Sequence, residues 1–147
     1  MKILDMSAGN RAVWYNKKHP DCFYVDKRRS VSPDLVADVK DLPLYANQFD
    51  LICWDPPHMT CGPNSDMAKT YGYHTTKEIL ELLEKGSGEA HRVSKNNALM
   101  AFKWNTHDIK LDRVFKLMPD WEPLFGHLTK DGPRSQTYWV LFRKVSK

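Results

Sequence analysis

Short apolar runs that end at a polar residue recur along this chain. Runs of about four to eight apolar or β-branched residues, bounded by turn residues, are typical of strands. Four of the runs reach an aspartate, at Asp5, Asp26, Asp38 and Asp55, and a fifth ends at Asn105. The pattern predicts five strands, over "MKILDM", "DCFYVD", "DLVADV", "FDLICWD" and "NALMAFKWN".

Apolar residues at helical spacing predict three helices between and after these strands. The longest has its apolar residues on one face, and Gly86 and Gly88 are expected to weaken or kink its middle. Asn10 and Asp108 are candidate caps for the other two helices. The predicted helices are "NRAVWYNKK", "TTKEILELLEKGSGEAHRV" and "DIKLDRVFKLM".

The order of these elements determines the predicted fold class. Strands that alternate with helices favour an α/β fold with a mostly parallel sheet. The last two apolar runs, "WEPLFGHL" and "QTYWVLFRK", have no helix between them, which favours an antiparallel hairpin at one edge of that sheet. Residues 58–73 show no clean period and are predicted to form a long loop. Because no repeat or linker divides the 147 residues, a single domain over residues 1–147 is expected.

Composition narrows the class of protein. Apolar residues make up 41% and charged residues 27% of the chain, which is typical of a soluble globular protein. No apolar stretch is long enough to cross a bilayer, and the N-terminus lacks the apolar segment of a signal peptide, so a cytoplasmic protein is expected. The three cysteines are an odd number without CxxC spacing, so we expect reduced thiols and neither a disulfide framework nor a metal site.

The charge of the chain is mildly basic, at +4 with a pI near 8.9. Lysine and arginine cluster in "DKRRS" and, near the C-terminus, in "KDGPR" and "FRKVSK". Such clusters permit a polyanionic partner, but on this evidence alone an ordinary solvated surface is the favoured interpretation.

The four aspartates at predicted strand ends indicate a binding site. In open α/β sheets the ligand lies beyond the carboxyl ends of the strands, and these four acids would collect there along one rim. The first loop, "DMSAGNR", has neither the three glycines of a dinucleotide fingerprint nor the Lys-Ser/Thr pair of a phosphate-binding loop. An acidic rim of this kind favours a ligand with a cationic centre and ribose hydroxyls, because carboxylates accept hydrogen bonds from hydroxyls and amines.

The order of these motifs resembles the class I S-adenosylmethionine-dependent methyltransferases, in the branch with the [D/N]PP[Y/F/W] signature of amino-methyltransferases. The similarity covers essentially the whole chain and extends to small bacterial and mobile-element enzymes, which the "FKWN" segment also resembles. It implies a Rossmann-like fold and S-adenosylmethionine as the cofactor. The residues it implies for cofactor binding are Asp5, Met6, Ser7 and Gly9 in the first motif, Asp26 and Lys27 at the ribose, Asp38 and Val39 at the adenine, and Asp55.

The "WDPPH" segment then corresponds to the family's catalytic loop. An exocyclic amine on a nucleobase is a weak nucleophile, because its lone pair is delocalised into the ring. If Asp55 and the Pro56 carbonyl each accept one N–H, the nitrogen moves toward sp³ geometry and its lone pair becomes available. Pro56 and Pro57 have a fixed φ and no competing N–H. The alternative is that Asp55-Pro56-Pro57 forms only a tight turn.

His58 stands where the family usually has Tyr, Phe or Trp for stacking on the target base. Imidazole is planar and can stack, but it has a smaller area and can also transfer a proton. This difference leaves the substrate open. The resemblance implies an N-methyltransferase for an exocyclic amine in DNA or RNA. The alternatives are a protein amide or small molecule, or a non-catalytic cofactor-binding subunit.

Substrate recognition has the fewest candidates, because the catalytic core uses most of the chain. The loop after His58 and the turn "TKDGPRSQ" are candidate substrate-contacting segments, and a partner subunit is a further expectation. Tyrosines in such a loop can also pack beneath it, and Trp104 can equally belong to the core. The candidate substrate-binding residues are Lys69, Tyr71, Tyr73, Trp104 and Asn105.

Overall fold

Seven strands form one sheet in the described part of the chain. The structure is a computed structural model, and it describes residues 1–61, 63–66 and 74–146. The strands are β1 (Ile3–Asp5), β2 (Cys22–Asp26), β3 (Leu35–Val36), β4 (Phe49–Trp54), β5 (Ser94–Asn105), β6 (Trp121–Asp131) and β7 (Gln136–Lys144).

The strand order in space is β3-β2-β1-β4-β5-β7-β6. Strands β3, β2, β1, β4 and β5 are parallel to their neighbours, whereas β7 is antiparallel to both β5 and β6. The predicted α/β fold, with a mostly parallel sheet and an antiparallel C-terminal hairpin, is therefore confirmed. The chain order reverses between β1 and β4, and ligands of open α/β sheets bind at such a switch point.

Two helices pack on one face of the sheet. Helix α1 (Thr76–Val93) begins with a capping box, in which the side chains of Thr75 and Glu78 each accept a backbone N–H at the helix start. Helix α2 (Leu111–Lys116) follows β5. The largest fully buried side chains on this face belong to β4 and β5 and include Trp54, Phe102 and Trp104.

Helix α1 is continuous through both glycines, so the predicted weakening does not interrupt it. Gly86 lies against Trp54, and a Cβ at this position would come within 2.8 Å of the indole atom Cζ2. The glycine therefore allows the helix to approach the sheet closely. No helix in the described part of the chain is long and apolar enough to cross a membrane.

The predicted helix over residues 10–18 is wrong, because this segment consists of turns. Arg11 has a φ of +57°, which is outside the right-handed helical region. Its guanidinium lies 3.8 Å from the centre of the Tyr24 ring. The Trp14 indole donates a 2.7 Å hydrogen bond to Asp5. These contacts with β1 and β2 hold the segment against the sheet in place of a helix.

Two smaller expectations are also corrected. Asp108 does not cap the next helix, which begins after Lys110 and has no side-chain cap. The Asp108 carboxylate instead accepts a 2.6 Å hydrogen bond from the backbone N–H of Thr60. The third predicted strand is shorter than expected, since only Leu35 and Val36 pair with β2.

Candidate active site

The carboxyl ends of β1, β2 and β4 open into one cavity of about 690 Å³. Asp5, Asp26, Asp38 and Asp55 all line it, so the predicted collection of acids along one rim is confirmed. The cavity is also lined by the other residues for which the sequence predicts a cofactor-binding role: Met6, Ser7, Gly9, Lys27 and Val39.

Asp5 is the most buried of the four acids. Its carboxylate accepts hydrogen bonds from the backbone N–H of Ser7, at 3.0 Å, and from the Trp14 indole, at 2.7 Å. Burial raises the pKa of Asp5 to about 6, and the nearby charges of Asp55 and Asp26 act in the same direction as burial. Because burial makes the Asp5 carboxylate costly to ionise, a positive charge bound beside it would favour the ionised form.

Asp26 is held by Arg28 and by the first loop. Its oxygens accept the backbone N–H of Gly9 at 2.9 Å, the backbone N–H of Arg28 at 2.8 Å and the Arg28 Nε at 3.0 Å. Burial by itself would raise the pKa of Asp26, but the hydrogen bonds from Arg28 and Gly9 outweigh it and lower the pKa. A ribose hydroxyl at this carboxylate would compete with the Arg28 side chain.

Gly9 forms the tight turn of the first loop. Its φ of +48° lies in the left-handed region, where a side chain is strained. An added Cβ would also lie 3.4 Å from the Arg28 guanidinium. The glycine therefore allows the backbone N–H to reach Asp26 across the end of the sheet.

Asp38 lies two residues beyond β3 and is more open to solvent than the other acids. Its carboxylate accepts the backbone N–H of Lys40 at 2.9 Å, and the Lys40 ammonium lies 3.8 Å from it. Val39, beside it, presents an apolar side chain on the same cavity wall.

Asp55 connects the first loop with the segment after β4. Its backbone N–H donates a 2.8 Å hydrogen bond to the Ser7 hydroxyl. Its side chain accepts a 3.2 Å hydrogen bond from the Lys103 ammonium. Lys103 lies on β5, which pairs with β4 through Trp54 and Phe102, so the register of the two strands places lysine beside aspartate.

His58 follows in the same segment and also lines the cavity. Its ring meets the edge of the Trp104 indole, with centroids 6.0 Å apart, and both rings lie next to the core. Burial lowers the pKa of His58 and favours its neutral form, although the Asp55 charge opposes this effect. The buried Nδ1 of His58 has no hydrogen-bond partner within the described residues.

The candidate substrate-binding residues have different surroundings. Trp104 is fully buried and donates its indole N–H to the Ile109 carbonyl, which matches the core alternative. The Asn105 side chain donates to the hydroxyls of Ser135 and Thr137, and thus joins β5 to the turn before β7. Lys69, Tyr71 and Tyr73 lie outside the described residues.

Lys103 and Arg28 are site residues that the sequence reasoning missed. Lys103 belongs to the "FKWN" segment, and alternation along β5 places it on the face opposite the buried Phe102 and Trp104. Its pairing with Asp55 depends on the register of β4 and β5. Arg28 belongs to the basic cluster "DKRRS", and nothing in the sequence of that cluster indicates its contact with Asp26.

Comparison with known proteins establishes the class of fold. The PH0226 protein from Pyrococcus horikoshii OT3 has a TM-score of 0.70 at 12% identity, over 97% of this chain and 81% of its own. A TehB-like SAM-dependent methyltransferase from Corynebacterium glutamicum has a TM-score of 0.65 at 15% identity, over 97% and 79% of the two chains. The chain therefore has the Rossmann-like fold of the S-adenosylmethionine-dependent methyltransferases. No protein-family model and no curated protein matches the sequence.

A third similar structure is that of an rRNA methyltransferase. The T. thermophilus 16S rRNA N2 methyltransferase RsmC, in complex with AdoMet and guanosine, has a TM-score of 0.60 at 12% identity. The similarity covers 99% of this chain but 35% of RsmC. At these identities the shared property is the fold.

Proposed function

We propose that the chain is an S-adenosylmethionine-dependent N-methyltransferase that acts on an exocyclic amino group of a nucleobase in DNA or RNA. The observation that carries the proposal is the position of Asp55-Pro56-Pro57. This segment follows β4 directly and lines the same cavity as the three acids at the ends of β1, β2 and β3.

The cavity suits this cofactor by its chemistry. S-adenosylmethionine, when bound, supplies an electrophilic methyl group on a cationic sulfonium. Asp5 and the loop that includes Ser7 and Gly9 would hold the amino-acid part, and Asp26 would accept hydrogen bonds from the ribose hydroxyls. Asp38 and Val39 would contact the adenine amino group and ring. The buried carboxylate of Asp5 favours a cation beside it, and the cavity volume of about 690 Å³ is within the usual range for a ligand pocket.

Asp55 and Pro56 would act on the acceptor amine. The Asp55 carboxylate and the Pro56 carbonyl would each accept one N–H, which localises the nitrogen lone pair and directs it into the cavity. Two prolines restrict this segment, and the bond to the Ser7 hydroxyl ties Asp55 to the first loop. The acceptors are thus in place before the reaction, which is how electrostatic preorganisation accelerates a transfer. Asp55 serves as hydrogen-bond acceptor, and the proton can leave to solvent afterwards.

A nucleobase is favoured as the acceptor by two features. The [D/N]PP signature of amino-methyltransferases is complete in this chain except for its final aromatic residue, which is His58. RsmC, whose fold covers this chain, is a 16S rRNA N2 methyltransferase in complex with guanosine. His58 would then line the pocket for the base as a neutral planar ring.

Calorimetric titration with S-adenosylmethionine tests the cofactor part of the proposal. The wild-type chain should bind, Asp26→Ala should lose binding, and Asp55→Ala should largely keep it. Asp112→Ala, an exposed aspartate on α2, is the matched control and should bind like the wild type.

Transfer of a radiolabelled methyl group to DNA, tRNA, rRNA and protein tests the acceptor part. We expect label in a nucleic acid and its loss in Asp55→Ala. Label only in protein would favour a protein amide instead. Binding without transfer to any of them would favour a cofactor-binding subunit, and no heat of binding in the wild type would refute the proposal.

A further inference from the structure

Two basic segments that are separate in the sequence are joined through Arg11, and one of them reaches the cavity at Lys27. Lys17 and Lys18 belong to the loop between β1 and β2, whereas Lys27 and Arg29 directly follow β2. All four side chains are exposed. We call this surface the basic rim.

Arg11 joins the two segments of the basic rim. Its guanidinium donates to the Lys17 carbonyl at 2.7 Å and to the Ser32 carbonyl at 3.2 Å, while it stacks on the Tyr24 ring. The backbone N–H of Ser32 in turn donates to the Arg29 carbonyl at 3.0 Å. One guanidinium therefore joins the backbones of the two segments and adds its own positive charge.

The acids near the basic rim are engaged elsewhere. Asp26 is occupied by Arg28 and the Gly9 backbone, and Asp34 accepts the backbone N–H of Tyr24 at 2.9 Å. Within the described residues, the four side chains of the basic rim form no ion pair or side-chain hydrogen bond. Its cations are thus left for an external anion.

The basic cluster "FRKVSK" shows the opposite situation. Arg143 pairs with Glu122, and the buried Lys144 ammonium donates to the Ser94 carbonyl at 2.7 Å. Those two cations therefore form contacts between strands of the sheet. Of "DKRRS" and "FRKVSK", the first therefore supplies the better candidate for a polyanion contact.

Tyr15 adds an aromatic surface next to these cations. Its side chain is fully exposed in the same loop as Lys17 and Lys18, so it packs against no part of the core. Exposed aromatic rings beside a cationic track are the means by which proteins bind single-stranded nucleic acids. The basic rim also reaches the active-site cavity, because Lys27 lines that cavity.

We propose that the basic rim and Tyr15 bind the backbone and an unstacked base of a single-stranded nucleic-acid segment whose target base enters the cavity. This inference rests on the proposed function for the class of substrate. The surface would supply phosphate contacts to the strand and would position it without reading its sequence.

Fluorescence anisotropy with a labelled 20-nucleotide strand, as RNA and as DNA of the same sequence, tests the inference. The variant Lys17→Gln/Lys18→Gln/Arg29→Gln leaves Lys27 and the cavity intact. The control removes two lysines and one arginine that are also exposed, with Lys77→Gln/Arg113→Gln/Lys116→Gln. Both variants should bind S-adenosylmethionine like the wild type, which also shows that they are folded.

We expect the first variant to lose about tenfold or more in affinity near 0.1 M salt, and the slope of log affinity against log salt to fall by about 2. Tyr15→Ala should weaken binding of the single strand about fivefold or more, with little effect on a duplex. The RNA and DNA arms show which polymer binds more tightly.

Equal losses of strand affinity in the two triple variants would overturn the inference. A wild type that binds neither the RNA nor the DNA strand would also overturn it, and so would a wild type that binds only vesicles with anionic lipid. Failure of the proposed function has a different signature. In that case the wild type gives no heat with S-adenosylmethionine, while the two triple variants still differ in their affinity for the strand.

Discussion

Asp5 is a buried acid, and its burial disfavours the ionised carboxylate. Burial raises its pKa from 3.8 to about 6. Since the folded chain binds this proton more tightly than the unfolded chain, the free energy of unfolding should fall as pH rises from about 4 to about 6. The expected size is on the order of 3 kcal/mol. The loss is complete above the folded pKa.

The raised pKa of Asp5 also predicts how cofactor affinity depends on pH. A cationic ligand beside Asp5 favours the ionised carboxylate, so the affinity for S-adenosylmethionine should rise from pH 5 and level off toward pH 7, above the Asp5 pKa of about 6. Calorimetry across this range measures it. Asp5→Asn, which keeps an acceptor for Trp14, should bind more weakly and with little pH dependence. A wild-type affinity that is flat across this range would contradict the prediction.

In the proposed transfer, Lys103 would position the Asp55 carboxylate. The ammonium holds one carboxylate oxygen at 3.2 Å, so Lys103→Gln should leave the carboxylate free to rotate. We expect kcat for methyl transfer to fall about tenfold or more, with cofactor affinity and KM changed much less. Lys103→Arg should restore part of the rate.

A second lysine on the same strand supplies the control. Lys95 pairs with Asp50 at 2.8 Å, at the other end of β4 and β5. Lys95→Gln should leave kcat near the wild-type value. Equal effects of the two substitutions would mean that Lys103 contributes only to the pairing of these strands.

At the scale of elements, the closest contact between helix and sheet is at Gly86. A Cβ there would lie 2.8 Å and 2.9 Å from two atoms of the buried Trp54 ring. Gly86→Ala should therefore lower the free energy of unfolding by about 1–3 kcal/mol, because helix and sheet must separate. Urea denaturation measures this change.

Gly88 is the matched position, since a Cβ there has nothing within 4 Å. Gly88→Ala should raise the free energy of unfolding by up to about 1 kcal/mol, because alanine is the better helix former. If the two substitutions change the free energy of unfolding in opposite directions, the effect of packing is separated from that of helix propensity. If both alanines stabilise the chain, the approach of α1 to Trp54 is not tight.

At the scale of the whole molecule, a ligand bound in the cavity should raise the free energy of unfolding. The acids that line the cavity come from the ends of several strands, so a ligand that joins them binds only the folded chain. At a hundredfold excess over its Kd, S-adenosylmethionine should add about 2.7 kcal/mol to the free energy of unfolding and raise Tm by about 6–10 °C. Asp26→Ala should lose most of this shift, and Asp112→Ala should keep it. No shift in the wild type would show that the cavity does not bind the cofactor.

The local pattern was enough to predict much of the fold. Five strands, the long helix and the terminal hairpin were each indicated by apolar spacing and turn residues, and the strand-end aspartates followed from them. Parallel strands place their carboxyl ends at one edge, so these acids had to meet once the sheet formed. The sequence alone therefore predicts that Asp5, Asp26 and Asp55 lie close together at one edge of the sheet.

The loop between β1 and β2 shows where local reasoning fails. Residues 10–18 have acceptable helical residues, but Arg11 stacks on Tyr24 and Trp14 bonds to Asp5. These are contacts with other elements, and together they outweigh a helix propensity that amounts to a few tenths of a kcal/mol per residue. The same packing brings Lys17 close to the segment after β2.

By itself the sequence determined which segments form strands and which end of the sheet carries the acids, because both depend on residue type and local period. Only the tertiary structure decided that Lys103 holds Asp55, that Arg28 occupies Asp26 and that Arg143 and Lys144 are engaged while Lys17 and Arg29 are not. A charged side chain has the same local signature whether or not it is paired. Its partner depends on strand register and on long-range packing, which bring together residues far apart in the chain.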